Sequence, residues 1–379
     1  MDPQLFTAIL ATSIAIIMLA KHWNEGNPYY SDGGQATYVY FLLHLAREEL
    51  FHEVTSLQRD TFVILIATLR RKGLLVDGRS ATVEEQVLIF LNIVRYNNSM
   101  RETALKFRRG LYTINRYFEL VLEAFMALYP EYVQLNVHTM LQPTAIRDDP
   151  KFAAFKNAVG AVDGVFINAR VPANDQPAWR SRKGFVAQNV LAAVNFRFEF
   201  IFVLAGWEGS AHDTRVYMDA YAKGLQLPPN KYLLADAGYG LQPGLMTPFR
   251  GVRYHFKEQA AAGQRPTTEK ELYNLRHASL RNIIERIFGC MKRNLCMLWN
   301  FIHKHEGHEA MLAADELSGS SAATSNDDEF NQNPTQPSEA APARNNAQED
   351  AYMKQRRYRI AKSLWQQYVD HTSTSTRVF

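Results

Sequence analysis

Apolar positions in the first third of the chain recur at helical spacing. Ser56-Leu-Gln-Arg-Asp-Thr-Phe-Val-Ile-Leu-Ile-Ala-Thr-Leu69 predicts a helix capped at Ser56 and stopping near Gly73. Ser80 or Thr82 caps the next, which runs from Val83 to Val94. A shorter helix follows over Ser99-Met-Arg-Glu-Thr-Ala-Leu-Lys-Phe107, where Ser99 and Glu102 have the spacing of a capping box. After the turn Arg108-Arg-Gly110, Leu111 to Phe125 predicts a longer helix with Ile114, Phe118 and Val121 toward the core. Upstream, Leu5 to Ala20 is an unbroken apolar run without a basic segment before it. It falls short of the roughly 20 residues that span a bilayer, so it reads as a buried core helix, with a membrane anchor or targeting segment as the alternative.

Beyond Asp148-Asp-Pro150 the period changes. Val159 to Ile167 is strand-like, and Phe185–Val194 with Phe198–Ala205 predict a hairpin turning near Asn195-Phe-Arg197. The loop Gly206-Trp-Glu-Gly-Ser-Ala-His-Asp213 leads into a helix from Thr214 to about Ala222, with Asp213 in the capping place. Lys231 to Ala235 is the next strand, Gly251-Val-Arg-Tyr-His-Phe256 a short strand or loop, and Thr267 to Lys292 a long helix capped by Thr267 or Thr268. Strand, hairpin, helix, strand, long helix is an α/β order with a mixed sheet, the element order of a ribonuclease-H-like fold. Residues 311–350 are polar and predict a disordered linker. Residues 351–379 predict a basic amphipathic helix and tail. Its stripe of Ile360, Leu364, Trp365 and Tyr368 suits docking on the body, with DNA contact or nuclear import as alternatives. The expected plan is an apolar helix and irregular lead (1–45), a helical domain (46–148), an α/β domain (149–310), a linker (311–350) and a terminal helix (351–379).

Charge sharpens this picture. Residues 315–350 hold eight acids and one base, Arg344, while the whole chain carries +4. The remainder is therefore distinctly basic, which fits a nucleic-acid partner. Two cysteines, Cys290 and Cys296, make no disulfide framework or zinc spacing and point to a reducing compartment. The helices over 99–125 have helix-turn-helix form. Lys106, Arg108, Arg109, Tyr112, Thr113, Asn115 and Arg116 cluster where a recognition helix would meet base edges and phosphates. A three-helix bundle with a solvated basic face is the alternative.

Three acids stand out in the α/β part. Asp163 lies inside an apolar run, Asp236 follows another, and Glu285 sits in the long helix. Each alone has a plain reading: an Asp-Gly turn for Asp163, a similarly plain turn for Asp236, and for Glu285 an i,i+4 partner of Arg281. Together, two strand-borne aspartates and a helix-borne glutamate suit a pair of hard divalent cations, Mg²⁺ or Mn²⁺, for phosphodiester chemistry. Asp213 could lie near them.

The motif series is more specific than any single acid. Ala161-Val-Asp-Gly164, Gly206-Trp-Glu-Gly-Ser-Ala-His-Asp-Thr-Arg-Val216, Leu234-Ala-Asp-Ala-Gly-Tyr239, Thr247-Pro-Phe-Arg-Gly-Val-Arg-Tyr-His255, Glu271-Leu-Tyr-Asn-Leu-Arg-His277 and Arg281-Asn-Ile-Ile-Glu-Arg-Ile-Phe-Gly-Cys-Met-Lys-Arg293 resemble the PIF/Harbinger transposases and their domesticated nuclease relatives. The resemblance covers most of 50–310 and implies a metal-dependent DDE nuclease with Asp163, Asp236 and Glu285 as catalytic and metal-binding acids. It further implies a helix-turn-helix-like region upstream, DNA as substrate, a Myb-like partner protein, homo-oligomers and a nuclear location. Arg281, Arg286, Lys292 and Arg293 are candidate DNA-backbone contacts. Two departures are visible. Lys292-Arg-Asn-Leu-Cys-Met-Leu-Trp-Asn-Phe-Ile302 joins segments that the family keeps further apart, with Trp299 in the place of a His, and Ala235 stands where Val is usual. The shortening makes a catalytically inactive DNA- or chromatin-binding relative the rival reading.

Overall fold

The computed structural model describes residues 38–252, 266–291, 296–307 and 350–375. The apolar run 5–20, the linker up to 349, Lys292, Arg293 and most of the Gly251–Phe256 segment lie outside the described residues. The chain divides into two units, 1–129 and 130–379.

In the first unit the described helices are α1 (Glu48–Thr55), α2 (Arg59–Arg71), α3 (Val83–Tyr96), α4 (Met100–Phe107) and most of α5 (Leu111–Tyr132). Their apolar faces meet in a core where Phe51 packs edge-on against Phe62 and Phe90 against Phe125. Ile114 and Val121 are buried, and Phe118 stacks on Phe90 at 5.1 Å. The capping box of Ser99 and Glu102 is present, and Thr82 caps α3. Ser56 caps no helix start. It ends α1 in the left-handed conformation, and α2 starts three residues later, where the Arg59 N–H donates to the Glu48 carboxylate at 2.7 Å. A carboxylate from the preceding helix thus does the work expected of the local hydroxyl.

The second unit is built on a five-stranded mixed sheet of order β3-β2-β1-β4-β5. The strands are β1 (Ala158–Asn168), β2 (Ala187–Asn195), β3 (Phe200–Glu208), β4 (Tyr232–Leu234) and β5 (Leu245–Met246). β1, β2 and β3 form an antiparallel meander, and β4 and β5 add in parallel on the other side of β1. The hairpin turns where expected, with Phe198 in the left-handed region. β1 is therefore the central strand, and its first half is fully buried. On one face α6 (Asp213–Ala222) packs Val216, Tyr217 and Ala220 against Val162, Leu191, Leu204 and Leu233. Three further long helices belong to this unit: α7 (Glu269–Met291), α8 (Cys296–Glu306) and α9 (Ala351–Ser375). Thr268 caps α7 by accepting the Glu271 N–H. The segment 130–148 belongs with this sheet rather than with the helices before it. Asn195 Nδ2 donates to the Thr139 carbonyl at 3.0 Å, and Gln142 Nε2 to that of Ala158 at 2.7 Å.

Candidate active site

The central strand delivers Asp163 to the place where its burial is giving way to solvent. Its carboxylate accepts the Gly164 N–H at 2.9 Å and an Arg281 N–H from α7 at 3.0 Å. Asp236 follows β4, the parallel neighbour of β1, and its Oδ1 accepts the Gly238 N–H at 2.8 Å in a tight helical turn. Asp213 opens α6. The capping place there is filled by His212 without a side-chain bond, so Asp213 is not the cap that its position predicted. Its side chain is turned in toward the other acids.

Small residues let these groups crowd together. A Cβ on Gly238 would lie 3.0 Å from Asp236 Oδ1 and 3.2 Å from Asp213 Oδ2. A Cβ on Gly164 would meet Asn189 Oδ1 at 3.0 Å, the Tyr239 hydroxyl at 3.3 Å and Asp213 Oδ1 at 3.8 Å. Three carboxylates from three elements thus share one small region. The electrostatics follow from that. Burial pushes Asp163 up to about 6, with the Arg281 charge opposing and the Asp236 charge adding. Asp213 is raised by burial and by Asp236, against the pull of Arg182, His212 and a hydrogen bond from Asn189. The Tyr239 hydroxyl is held well above its ordinary value by burial and by all three aspartates.

Glu285 stands apart from this group. Its side chain is 52% exposed, and it binds Arg281 at 2.5 Å in the i,i+4 manner. Arg281, only 10% exposed, therefore bridges Asp163 and Glu285 and does not point outward as a backbone contact would. Among the described residues, no group of three or more His, Cys, Asp or Glu side chains is arranged to hold a metal ion. The donor chemistry nonetheless fits a hard divalent cation. Asp163, Asp213 and Asp236 offer carboxylate oxygens whose mutual repulsion such a charge relieves.

These acids all fall within residues 162–314, which match the DDE superfamily endonuclease family. That stretch is a DDE superfamily endonuclease domain. The match bears out the resemblance drawn from the motif series. Upstream, residues 32–127 match a domain of unknown function, DUF8040. The chain is similar to the protein named "Putative nuclease HARBI1" from Rattus norvegicus, 24% identical over 41% of this chain and 40% of the relative. It is also similar to "Protein ALP1-like" from Arabidopsis thaliana, 28% identical over 27% of this chain and 29% of the relative. The alignments thus span less than half the length of either relative. No solved structure matches the chain.

Within the endonuclease domain the remaining candidates are dispersed. Arg286 lies over the Phe198 ring at 5.1 Å. Beyond residues 292–295, which lie outside the described residues, α8 buries Met297, Leu298, Trp299, Phe301 and Ile302. Asn300 pairs with both the N–H and the carbonyl of Phe200, and Trp299 Nε1 donates to the Phe198 carbonyl at 2.7 Å. Helix α8 thus packs along β3 of the endonuclease domain. The terminal helix α9 docks on the same unit through Met353, Ile360, Ala361 and Leu364. In the first unit Lys106, Arg108, Tyr112 and Arg116 are exposed, with Thr113 and Asn115 half-buried beside them. Arg109 faces inward, its guanidinium held by Glu85 at 2.7 Å and 2.8 Å. Among the described residues no helix is long and apolar enough to cross a membrane.

Sequence reasoning passed over Tyr239, Asn189 and the inward role of Arg281. Tyr239 closes the Asp-Ala-Gly-Tyr segment, and Arg281 sits one helical turn before Glu285, so both carried a signal. Asn189 carried none.

Proposed function

We propose that this chain is a divalent-metal-dependent nuclease that cleaves DNA phosphodiesters. The observation that carries the reading is the convergence of Asp163, Asp213 and Asp236 from three elements inside an endonuclease domain. Strand order adds support, since a meander extended by two parallel strands, with an acid on the central one, suits a ribonuclease-H-like fold. Asp163 and Asp236 would hold Mg²⁺ or Mn²⁺, with Asp213 beside them and Glu285 completing the set once it exchanges Arg281 for the cation. When bound, such a cation neutralises charge at the phosphodiester and makes a nucleophile accessible at neutral pH. Asp163 and Asp236 orient the site from rigid backbone, because strand and capped turn fix both side chains. Tyr239, kept protonated by its surroundings, offers a neutral hydroxyl donor at the edge of the acids.

In this reading the exposed Lys106, Arg108, Tyr112 and Arg116, with the half-buried Thr113 and Asn115 beside them, contact DNA from the helical unit. A Myb-like partner, pairing of chain copies and a nuclear location complete it, on the strength of the family resemblance. The rival, a DNA-binding relative without catalysis, draws on the Arg281–Glu285 pair, which leaves Glu285 outside the acid cluster. A supercoiled-plasmid nicking assay separates the two. Nicking that requires Mg²⁺ or Mn²⁺ and is abolished in Asp163→Asn and Asp236→Asn supports the nuclease. DNA binding without nicking in the presence of either ion supports the rival.

A further inference from the structure

The connection from β1 to β2 is a built arm. The Ala169 N–H donates to the Val186 carbonyl at 3.0 Å, and Arg180 bridges Val186 in antiparallel fashion. Beyond that, the Ser181 N–H donates to Phe185 and the Gly184 N–H to Ser181, both at 2.9 Å. Arg180 Nη1 braces the tip by donating to the Gly184 carbonyl at 2.7 Å. The root of the arm is locked against the loop that leads into α6. Ser210 N–H donates to the Ala178 carbonyl at 3.2 Å, and a Cβ on Gly209 would come within 2.5 Å of the Trp179 carbonyl oxygen. Only a glycine allows that approach. Three residues past Ser210 stands Asp213.

This anchoring fixes where the charges of the arm go. Ser181 is buried, while Arg180, Arg182 and Lys183 are exposed. Arg182 stands near enough to the acids for its charge to be felt at Asp213. Beside Asp236, Arg250 Nη2 donates to the Ala237 carbonyl at 2.6 Å, so a second cation flanks the acids from another segment. Three clustered carboxylates repel a phosphodiester. A nucleic-acid strand lies across them only where fixed cations beside them offset that repulsion.

We propose that Arg182 and Lys183 grip the phosphates of the DNA strand adjacent to the phosphodiester that reaches the acids. This rests on the nuclease reading and adds the surface along which the strand runs. The full chain is titrated with a fluorescein-labelled duplex in Ca²⁺ at a series of salt concentrations. Each phosphate contact contributes about −0.9 to the slope of log K against log salt. In R182Q/K183Q the slope becomes shallower by about 1.8, while R182K keeps the native slope. K223Q, at the far end of α6, also keeps it. The melting temperature of each variant, measured alongside, shows whether the fold is retained. An unchanged slope in a folded R182Q/K183Q, with the wild type binding normally, overturns the arm and leaves the nuclease reading standing. No binding by the wild type overturns both.

Discussion

Asp163 concentrates the chemistry of the site in one carboxyl. Unfolded, it ionises near 3.8; folded, near about 6. Between these values the folded chain keeps a proton that the unfolded chain has released, so stability falls as pH rises through that window. In the chelator-treated protein, D163N removes this part of the pH dependence, measured as denaturation midpoints across the window. Parallel curves for the two proteins would contradict the assignment. Arg281 gives a second expectation. R281Q strands the buried side of Asp163 without its donor and costs about 1–3 kcal/mol. The half of the bridge at Glu285 adds little, because it is exposed and screened. Mn²⁺ restores part of the loss if the acids accept a cation, and thermal melts with and without the ion read this directly. Both aspartates were legible because an acid ending or interrupting an apolar run is unusual. The inward turn of Arg281 and the capture of Arg109 by Glu85 were not. Both depend on partners brought together by tertiary packing, Glu85 lying 24 residues away from Arg109.

At the scale of elements, periodicity did most of the work. Helices α3, α4, α5 and α7 and the hairpin of β2 and β3 lie where the apolar spacing put them. What it missed were events at the ends. Ser56 stops one helix instead of starting the next, because Glu48 reaches across to cap α2. Asp213 was read as a cap because Asp at a helix start usually is one. The backbone there needs no side-chain cap, which releases the carboxylate toward Asp236. Helix α8 deserves its own test. Asn300 satisfies a strand N–H and two carbonyls, those of Phe200 and Tyr132. N300A leaves these buried groups unpaired and lowers stability by about 1–3 kcal/mol per unsatisfied group, seen as a lower urea midpoint. N300D keeps the bond to the Phe200 N–H but sets a buried carboxylate against both carbonyls, and falls at least as low as N300A.

For the whole molecule, the division at 129/130 has a calorimetric consequence. Each unit has its own core, so the chain is expected to melt in two steps. N300A moves one step, and F90A, which empties an aromatic cluster in the helical unit, moves the other. A single transition shifted equally by both variants would refute this independence. The sequence placed the boundary near Asp148-Asp-Pro150 because the prolines there break the helical pattern. The structure assigns 130–148 to the sheet unit through side-chain bonds such as Asn195 to Thr139, which no local pattern encodes.

Helix α9 ties the last described part of the chain to residues made long before it. Arg357 donates to the Pro248 carbonyl at 3.0 Å, Arg356 to that of Asn230 at 2.6 Å, and the Asp350 N–H to that of Leu241 at 3.1 Å. On a ribosome these partners emerge first and wait for more than a hundred further residues. Through that interval the edge carrying β4 and β5, and with it Asp236, lacks its covering helix. Non-local closure of this kind is slow and leaves apolar surface open to wrong partners. The sheet unit therefore completes its folding only once α9 has emerged, and the temporal order of translation becomes part of how the acid-bearing strands are protected.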